Sequence, residues 1–348
     1  MNGERKSAVV ICPGRGTYNS AELGYLARHF PDAGLLARFD AIRGEGNQET
    51  LSALDGADRF SMAKHTRGDN ASGLIFAASY GDFCVIDRDL VEIVAVSGNS
   101  MGWYTALACG GALSAENGFV VANTMGTLMQ QSLIGGQLIY PWVDEDWVPN
   151  PARKAELLAL VEEVGAREEV ELYLSIDLGG MLVLAGNAAG LDAFEKAVEP
   201  VQGRFPMRLA NHAAFHTPMQ EPVAAQGRSR LDPGLFGQPG LPLIDGHGQI
   251  WWPGATDAEA LYGYTLGAQV TQPYNLTRAI TVAAREFAPD LFIILGPGTT
   301  LGGAVAQSLI CADWRGMADK AGFQDLQARE PVLASMGMAD QRELVSRG

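Results

Sequence analysis

Ser100 sits in the run Gly98-Asn99-Ser100-Met101-Gly102, directly after the apolar, β-branched stretch Val91 to Ser97. Small and apolar residues at helical spacing follow it. A strand, a Gly-x-Ser-x-Gly turn and a helix make a nucleophile elbow, in which a sharp turn pushes one hydroxyl into the open. The two glycines are needed where strand and helix approach too closely for a Cβ. The following helix would aim its positive end at the hydroxyl, which suits a reaction that develops negative charge. A serine nucleophile needs a base, and the chain has five histidines: His29, His65, His212, His216 and His247. His216 is the best placed, in Phe215-His216-Thr217-Pro218, where the proline fixes the chain and apolar neighbours desolvate the imidazole. His212, four residues earlier, competes for the role. The elbow motif is short and this chain is rich in glycine, so the surrounding elements must decide.

Those elements alternate. Ser7 to Cys12 reads as a buried strand that ends in the Gly-rich turn Pro13-Gly14-Arg15-Gly16-Thr17-Tyr18. This turn lacks the full spacing of a dinucleotide or P-loop cradle and fits better as a donor of backbone N–H groups to a neighbouring site. Helices are expected over Ala21 to Phe30, near Leu74 to Tyr80, over Trp103 to Cys109 and over Ala115 to Leu133. Residues 135–206 change character, with short strand-like and helical runs in the order β-α-β-β-α-β of a ferredoxin-like insert. The acidic run Asp144-Glu145-Asp146 inside it reads as a solvated loop. Met207 to Pro222 returns to the main body. Leu241 to Trp252 reads as strands around a Gly turn, and Tyr262 to Phe287 as helical around Pro273. Asp290 to Leu295 is a buried strand, Leu301 to Ile310 a helix, and the polar, Met-rich stretch from Ala312 is expected to wrap the surface. The fold class is therefore α/β: a mainly parallel sheet with helices on both faces, an α/β-hydrolase-like core of residues 1–134 and 207–348, and a small insert of 135–206.

A length of 348 residues supports a large core. Net charge is -15, from 40 acidic and 25 basic residues, which argues against nucleic acid or an anionic membrane as the main partner. No apolar run is long enough to span a bilayer. Cys12, Cys84, Cys109 and Cys311 are far apart, without metal-ligand spacing, and read as buried free thiols of a cytoplasmic protein. The N-terminus leads straight into the first strand without a secretory apolar region.

Four ordered segments resemble the malonyl-CoA:acyl-carrier-protein transacylase family. They are Cys12-Pro-Gly-Arg-Gly-Thr-Tyr18, Gly98-Asn-Ser-Met-Gly-Trp-Tyr-Thr-Ala-Leu107, Ala214-Phe-His-Thr-Pro218 and Leu295-Gly-Pro-Gly298. The resemblance implies ping-pong acyl transfer, with an acyl-CoA as donor, malonyl-CoA by family default, and the phosphopantetheine thiol of an acyl carrier protein as acceptor. It needs no cofactor beyond the CoA thioester, and no metal. Ser100 would be the nucleophile and His216 its base, with the backbone N–H groups of Arg15 and Met101 forming the oxyanion hole. A backbone carbonyl, matched here by Gln269, would orient the histidine.

Departures from the family bear on the substrate. Family members that use malonyl hold its carboxylate with an arginine in a run resembling Met-Arg-Gly-x-x-Met. The matching run here is Thr124-Met125-Gly126-Thr127-Leu128-Met129, so Met125 replaces that arginine. A thioether cannot pair with a carboxylate, and an uncharged acyl group would fit more easily. Arg15 replaces the family's glutamine in the oxyanion turn and reads either as a cation from the opposite wall, for the acyl carboxylate or for CoA phosphates, or equally as a surface arginine bridging to an acidic neighbour. Asn99 and Trp103 beside the elbow imply a reshaped pocket, and Phe215 is a further candidate lining residue. Two other readings stand beside transfer. One is hydrolysis, by a thioesterase on this scaffold or by a patatin-like enzyme using Asp245 of Asp245-Gly246 as the base. The other is a carrier-protein-binding module without catalysis.

Overall fold

β-Branched and apolar runs bounded by glycine and proline become the strands of two sheets. The computed structural model describes residues 5–346; Met1 to Glu4, the first residues of the N-terminus discussed above, lie outside them. Among the described residues the strands are, in chain order, β1 (Lys6–Cys12), β2 (Val91–Gly98), β3 (Gly136–Pro141), β4 (Leu172–Leu178), β5 (Met181–Gly186), β6 (Met207–Arg208), β7 (Leu243–Ile244), β8 (Ile250–Trp251), β9 (Tyr274–Asn275), β10 (Leu291–Ile294) and β11 (Leu333–Ser335). The first sheet has the order β11-β10-β1-β2-β7-β8, with every neighbour parallel except the β7–β8 hairpin.

Strand alternation divides β1 between two cores. Ala8, Val10 and Cys12 face one, together with Leu74, Phe76, Leu107 and Phe119 from helices Gly68–Val85, Gly102–Cys109 and Ala115–Gln131. Val9 and Ile11 face the other, with Leu276, Ile280, Val305 and Leu309 from helices Leu276–Phe287 and Leu301–Cys311. A strand buried on both faces reads as a continuous apolar run, which is what Ala8 to Cys12 is.

The second sheet has the order β6-β3-β5-β4-β9, antiparallel except for β4–β9. Helices Pro151–Gly165 and Ala188–Ala197 complete the β-α-β-β-α-β order. Two strands of this sheet come from outside 135–206. Met207–Arg208, expected to rejoin the main body, pairs with β3, and Tyr274–Asn275 pairs with β4. Two-residue strands carry too few side chains to show a period.

Other expectations need correction. The segment Ala21 to Phe30 is split at Gly24, whose φ of 79° ends any helix. The helix near Leu74 to Tyr80 runs from Gly68 to Val85, because its poor helix formers at the start pack against Gly126 and gain contacts that override propensity. The stretch from Ala312 does not only wrap the surface: Leu333–Ser335 is buried and hydrogen-bonded beside β10. The four cysteines are free, as expected, but Cys84 is exposed and Cys311 half-buried. The run Asp144-Glu145-Asp146 is exposed. No helix of the described residues is long and apolar enough to cross a membrane.

Candidate active site

β2 delivers Ser100 to the carboxyl end of the main sheet, and the turn into helix Gly102–Cys109 holds it at φ 56°. A non-glycine residue at positive φ is strained, and here close packing maintains it. A Cβ on Gly98 would overlap the Gly102 backbone, and one on Gly102 would overlap the Cys12 carbonyl. The elbow therefore needs both glycines for contact, not for their own dihedrals. Tyr274 ties the turn down by donating its hydroxyl to the Gly98 carbonyl.

The return from the insert supplies the histidine. His216, also at positive φ (57°) and 3% exposed, stands with Nε2 2.7 Å from Ser100 Oγ. Its Nδ1 lies 2.7 Å from the Gln269 carbonyl. A carbonyl can only accept, so Nδ1 carries the hydrogen and Nε2 is left to accept from the serine. Burial pushes the imidazole down to about 4, against a smaller upward pull from the Gln269 carbonyl, so it is neutral at pH 7. The side chain of Gln269 locks the same unit: Nε2 donates to the Ser100 carbonyl at 3.0 Å and Oε1 accepts from Tyr104 at 3.1 Å.

The turn after β1 closes the third side. A Cβ on Gly14 would lie 2.5 Å from the Asn99 carbonyl, so this turn runs directly against the elbow. Thr17 braces it by donating Oγ1 to the Gly14 carbonyl. Arg15 and Met101 both line a cavity of about 20 Å³ at Ser100, together with Phe215, His216 and Gln269. That is space for little more than a water molecule beside Ser100 Oγ. Met129, Gly126 and Ser72 form its far wall.

Several candidate residues face elsewhere. Met125 is fully buried but does not line the cavity; it packs so tightly on Gly227 that a Cβ there would lie 2.7 Å from its sulfur. Asn99 does not line it either: its backbone N–H bonds the Cys12 carbonyl, and its Oδ1 is buried without a partner. Trp103 lies in the core and donates Nε1 to Thr265 at 3.0 Å. His212 bonds the Ala210 carbonyl through Nδ1 and makes no hydrogen bond to Ser100. Asp245 is committed to its own hairpin, accepting from the His247 and Gln249 amides and from Trp251 Nε1. It is not a base for Ser100. Among the described residues no group of three His, Cys, Asp or Glu side chains is placed to hold a metal.

Tyr104 and Tyr274, which bond Gln269 and the Gly98 carbonyl, are not candidates on sequence alone. Tyr104 lay inside the elbow motif with no role; Tyr274 carried no local signal.

Solved structures superpose on nearly the whole chain. A malonyl CoA-acyl carrier protein transacylase from Coxiella burnetii matches with a TM-score of 0.74 and 15% identity, over 99% of each chain. The fold is that of the malonyl-CoA:acyl-carrier-protein transacylases. A malonyl-transacylase solved in complex with its type II polyketide synthase acyl-carrier protein matches with a TM-score of 0.69 and 19% identity, over 93% of this chain and 99% of that one. Among curated proteins, the polyketide synthase GfsA of Streptomyces halstedii is 24% identical across 95% of the chain. The chain spans 4% of that synthase's length, and 12% and 14% of two further polyketide relatives. No family model matches the chain. An acyl-carrier-protein transacylase-type acyltransferase fold thus surrounds the Ser100–His216 pair.

Proposed function

We propose that the protein is an acyltransferase that moves a short acyl group from CoA to the phosphopantetheine thiol of an acyl carrier protein through an acyl-Ser100 intermediate. The observation that carries this reading is the 2.7 Å contact between Ser100 Oγ and a buried His216 Nε2 whose Nδ1 is held by the Gln269 carbonyl. Ser100 Oγ attacks the thioester carbonyl as its proton passes to Nε2. The backbone N–H groups of Met101 and Arg15 hold the oxyanion. Collapse expels the CoA thiolate, which takes the proton back from His216. The carrier thiol then gives its proton to His216 and attacks the acyl-Ser100 carbonyl; collapse expels Ser100 Oγ, which takes that proton from His216 as the new thioester leaves.

The carrier-protein complex among the similar structures supports the choice of acceptor. In this reading residues 135–206, extended by β6, form a ferredoxin-like insert on a core of 1–134 and 207–348. The strand order β6-β3-β5-β4 supports that division. The insert leads directly into the segment that carries His216.

Intact-mass measurement after incubation with acyl-CoAs, with and without a holo carrier protein, tests the proposal. An acyl adduct that Ser100→Ala abolishes and the carrier discharges is the expected result. Discharge at the same rate without carrier means hydrolysis, and no adduct with any donor means a module without catalysis; either outcome rejects the transfer reading.

A further inference from the structure

The charge balance at the Ser100 cavity is unusual. Arg15 is the formally charged residue in its wall, and no Asp or Glu lines it. Nη2 donates to the Thr66 carbonyl at 2.9 Å and the Asn211 carbonyl at 3.0 Å. Nε and Nη1 are buried without any partner. Nη1 is directed to the far wall, 3.5 Å from where a Cβ on Gly68 would sit, and Gly68 packs on the wall residue Gly126. Asp69, the acid whose charge reaches Arg15, has its two oxygens bonded at 3.0 Å by Nε and Nη2 of Arg67. Phe215 lies 5.4 Å from the guanidinium and covers it with an apolar ring. Burial lowers Arg15 to about 10, which still leaves it charged at neutral pH.

Arg15 as a whole is half-buried, but two idle donors sealed from water on a cation are costly unless something anionic joins them. We propose that Arg15 is the specificity-determining residue: its Nε and Nη1 hold a carboxylate at the distal end of the acyl group carried by Ser100. The inference rests on the acyl-transfer reading above. Its physical logic is that a carboxylate supplies two acceptor oxygens in the plane of the guanidinium fork, and a charge-assisted pair in a dry site is strong. An apolar acyl chain of the same length would leave both donors unsatisfied, and a site with unpaired buried polar groups rejects such an analogue strongly. Met125, turned away onto Gly227, takes no part.

Arg15 also lines an outer pocket of about 170 Å³ with Tyr18, Met62, Thr66 and His212, so a CoA phosphate is the rival source of the anion. The test separates the two. Loading of Ser100 is followed by intact mass with malonyl and butyryl groups, each offered as the CoA thioester and as the phosphate-free N-acetylcysteamine thioester. The wild-type protein is expected to load malonyl at least tenfold faster than butyryl from both carriers. R15Q should lose at least tenfold of that ratio from both, and R15K, which keeps the charge without the fork, should fall between.

An unchanged ratio in R15Q overturns the proposal. So does an unchanged ratio in R15K should R15Q fail to fold, or a wild-type preference for butyryl. An R15Q defect confined to the CoA donors, whatever their acyl group, assigns the cation to phosphate and also overturns it. Failure of the underlying reading looks different: no wild-type adduct from any of the four donors, or an adduct that survives in S100A.

Discussion

The two halves of the Ser100 cavity differ in how fully their polar atoms are paired. On the catalytic half, Ser100, His216, Gln269 and Tyr104 form a closed chain of hydrogen bonds with each partner within 3.1 Å. On the other half Arg15 keeps two buried donors idle, and the helix carrying Gly126 and Met129 presents no charge. A saturated network is rigid and fixes reacting atoms before substrate arrives; an unsaturated one has capacity left for the substrate to complete. On the proposed function, chemistry is built into one half and selection is left to the other.

The largest effects should come from breaking the saturated half. Ser100→Ala should abolish the acyl adduct, and His216→Ala should slow its formation by about 10^3-fold or more, read by rapid-quench mass measurement. Retention of fast acylation in His216→Ala would remove the base from the scheme. Gly102→Ala places a Cβ on the Cys12 carbonyl and should cost at least about 3 kcal/mol in urea unfolding, with loss of the adduct. Next, Met125→Arg tests whether the far helix can take over selection. Its side chain faces Gly227, so the change buries an unpaired cation, costs about 3 kcal/mol in stability and leaves the malonyl-to-butyryl ratio unimproved. A gain in that ratio would show that position 125 reaches the cavity. The smallest mutational effect belongs to Tyr104→Phe, which removes one buried hydrogen bond to Gln269 and should cost about 1 kcal/mol.

Acidity distinguishes the halves as well. Because burial holds His216 at about 4, acylation should stay level as pH falls from 7 to 5 and drop only near and below 4. Stability has a wider window. In the unfolded chain histidines take up protons near 6.5. The buried His216 and the half-buried His212, desolvated and beside the Arg15 cation, both resist until about 4. Their contribution is therefore complete above 6.5 and is lost progressively as pH falls from there to 4. An activity that fell in step with a histidine of ordinary pKa would contradict the desolvated site.

Much of the catalytic half was legible in the sequence because its signals are local. A strand, two glycines and a helix within a dozen residues define the elbow, and Phe215 to Pro218 marks the histidine turn. The main strands were equally readable as continuous apolar runs. What escaped were elements whose evidence lies in their partners. Met207–Arg208 and Tyr274–Asn275 are two residues long and exist because β3 and β4 pair with them. Leu333–Ser335 was masked by polar neighbours until β10 explained it. Tyr274, which anchors the elbow at Gly98, sits 176 residues away in sequence.

By itself the sequence determined which residue types stand at the elbow, the histidine turn and the Gly-rich turn after β1, since backbone geometry over a few residues dictates each of them. The tertiary structure alone decided which side chains border the Ser100 cavity. An α-helix turns about 100° per residue, so Met125 and Gly126 face different directions, and only packing against Gly68, Ser72 and Gly227 sets which one borders Ser100. The same packing seals Nε and Nη1 of Arg15 from water without a partner, a fact of three-dimensional neighbourhood that no run of residues records.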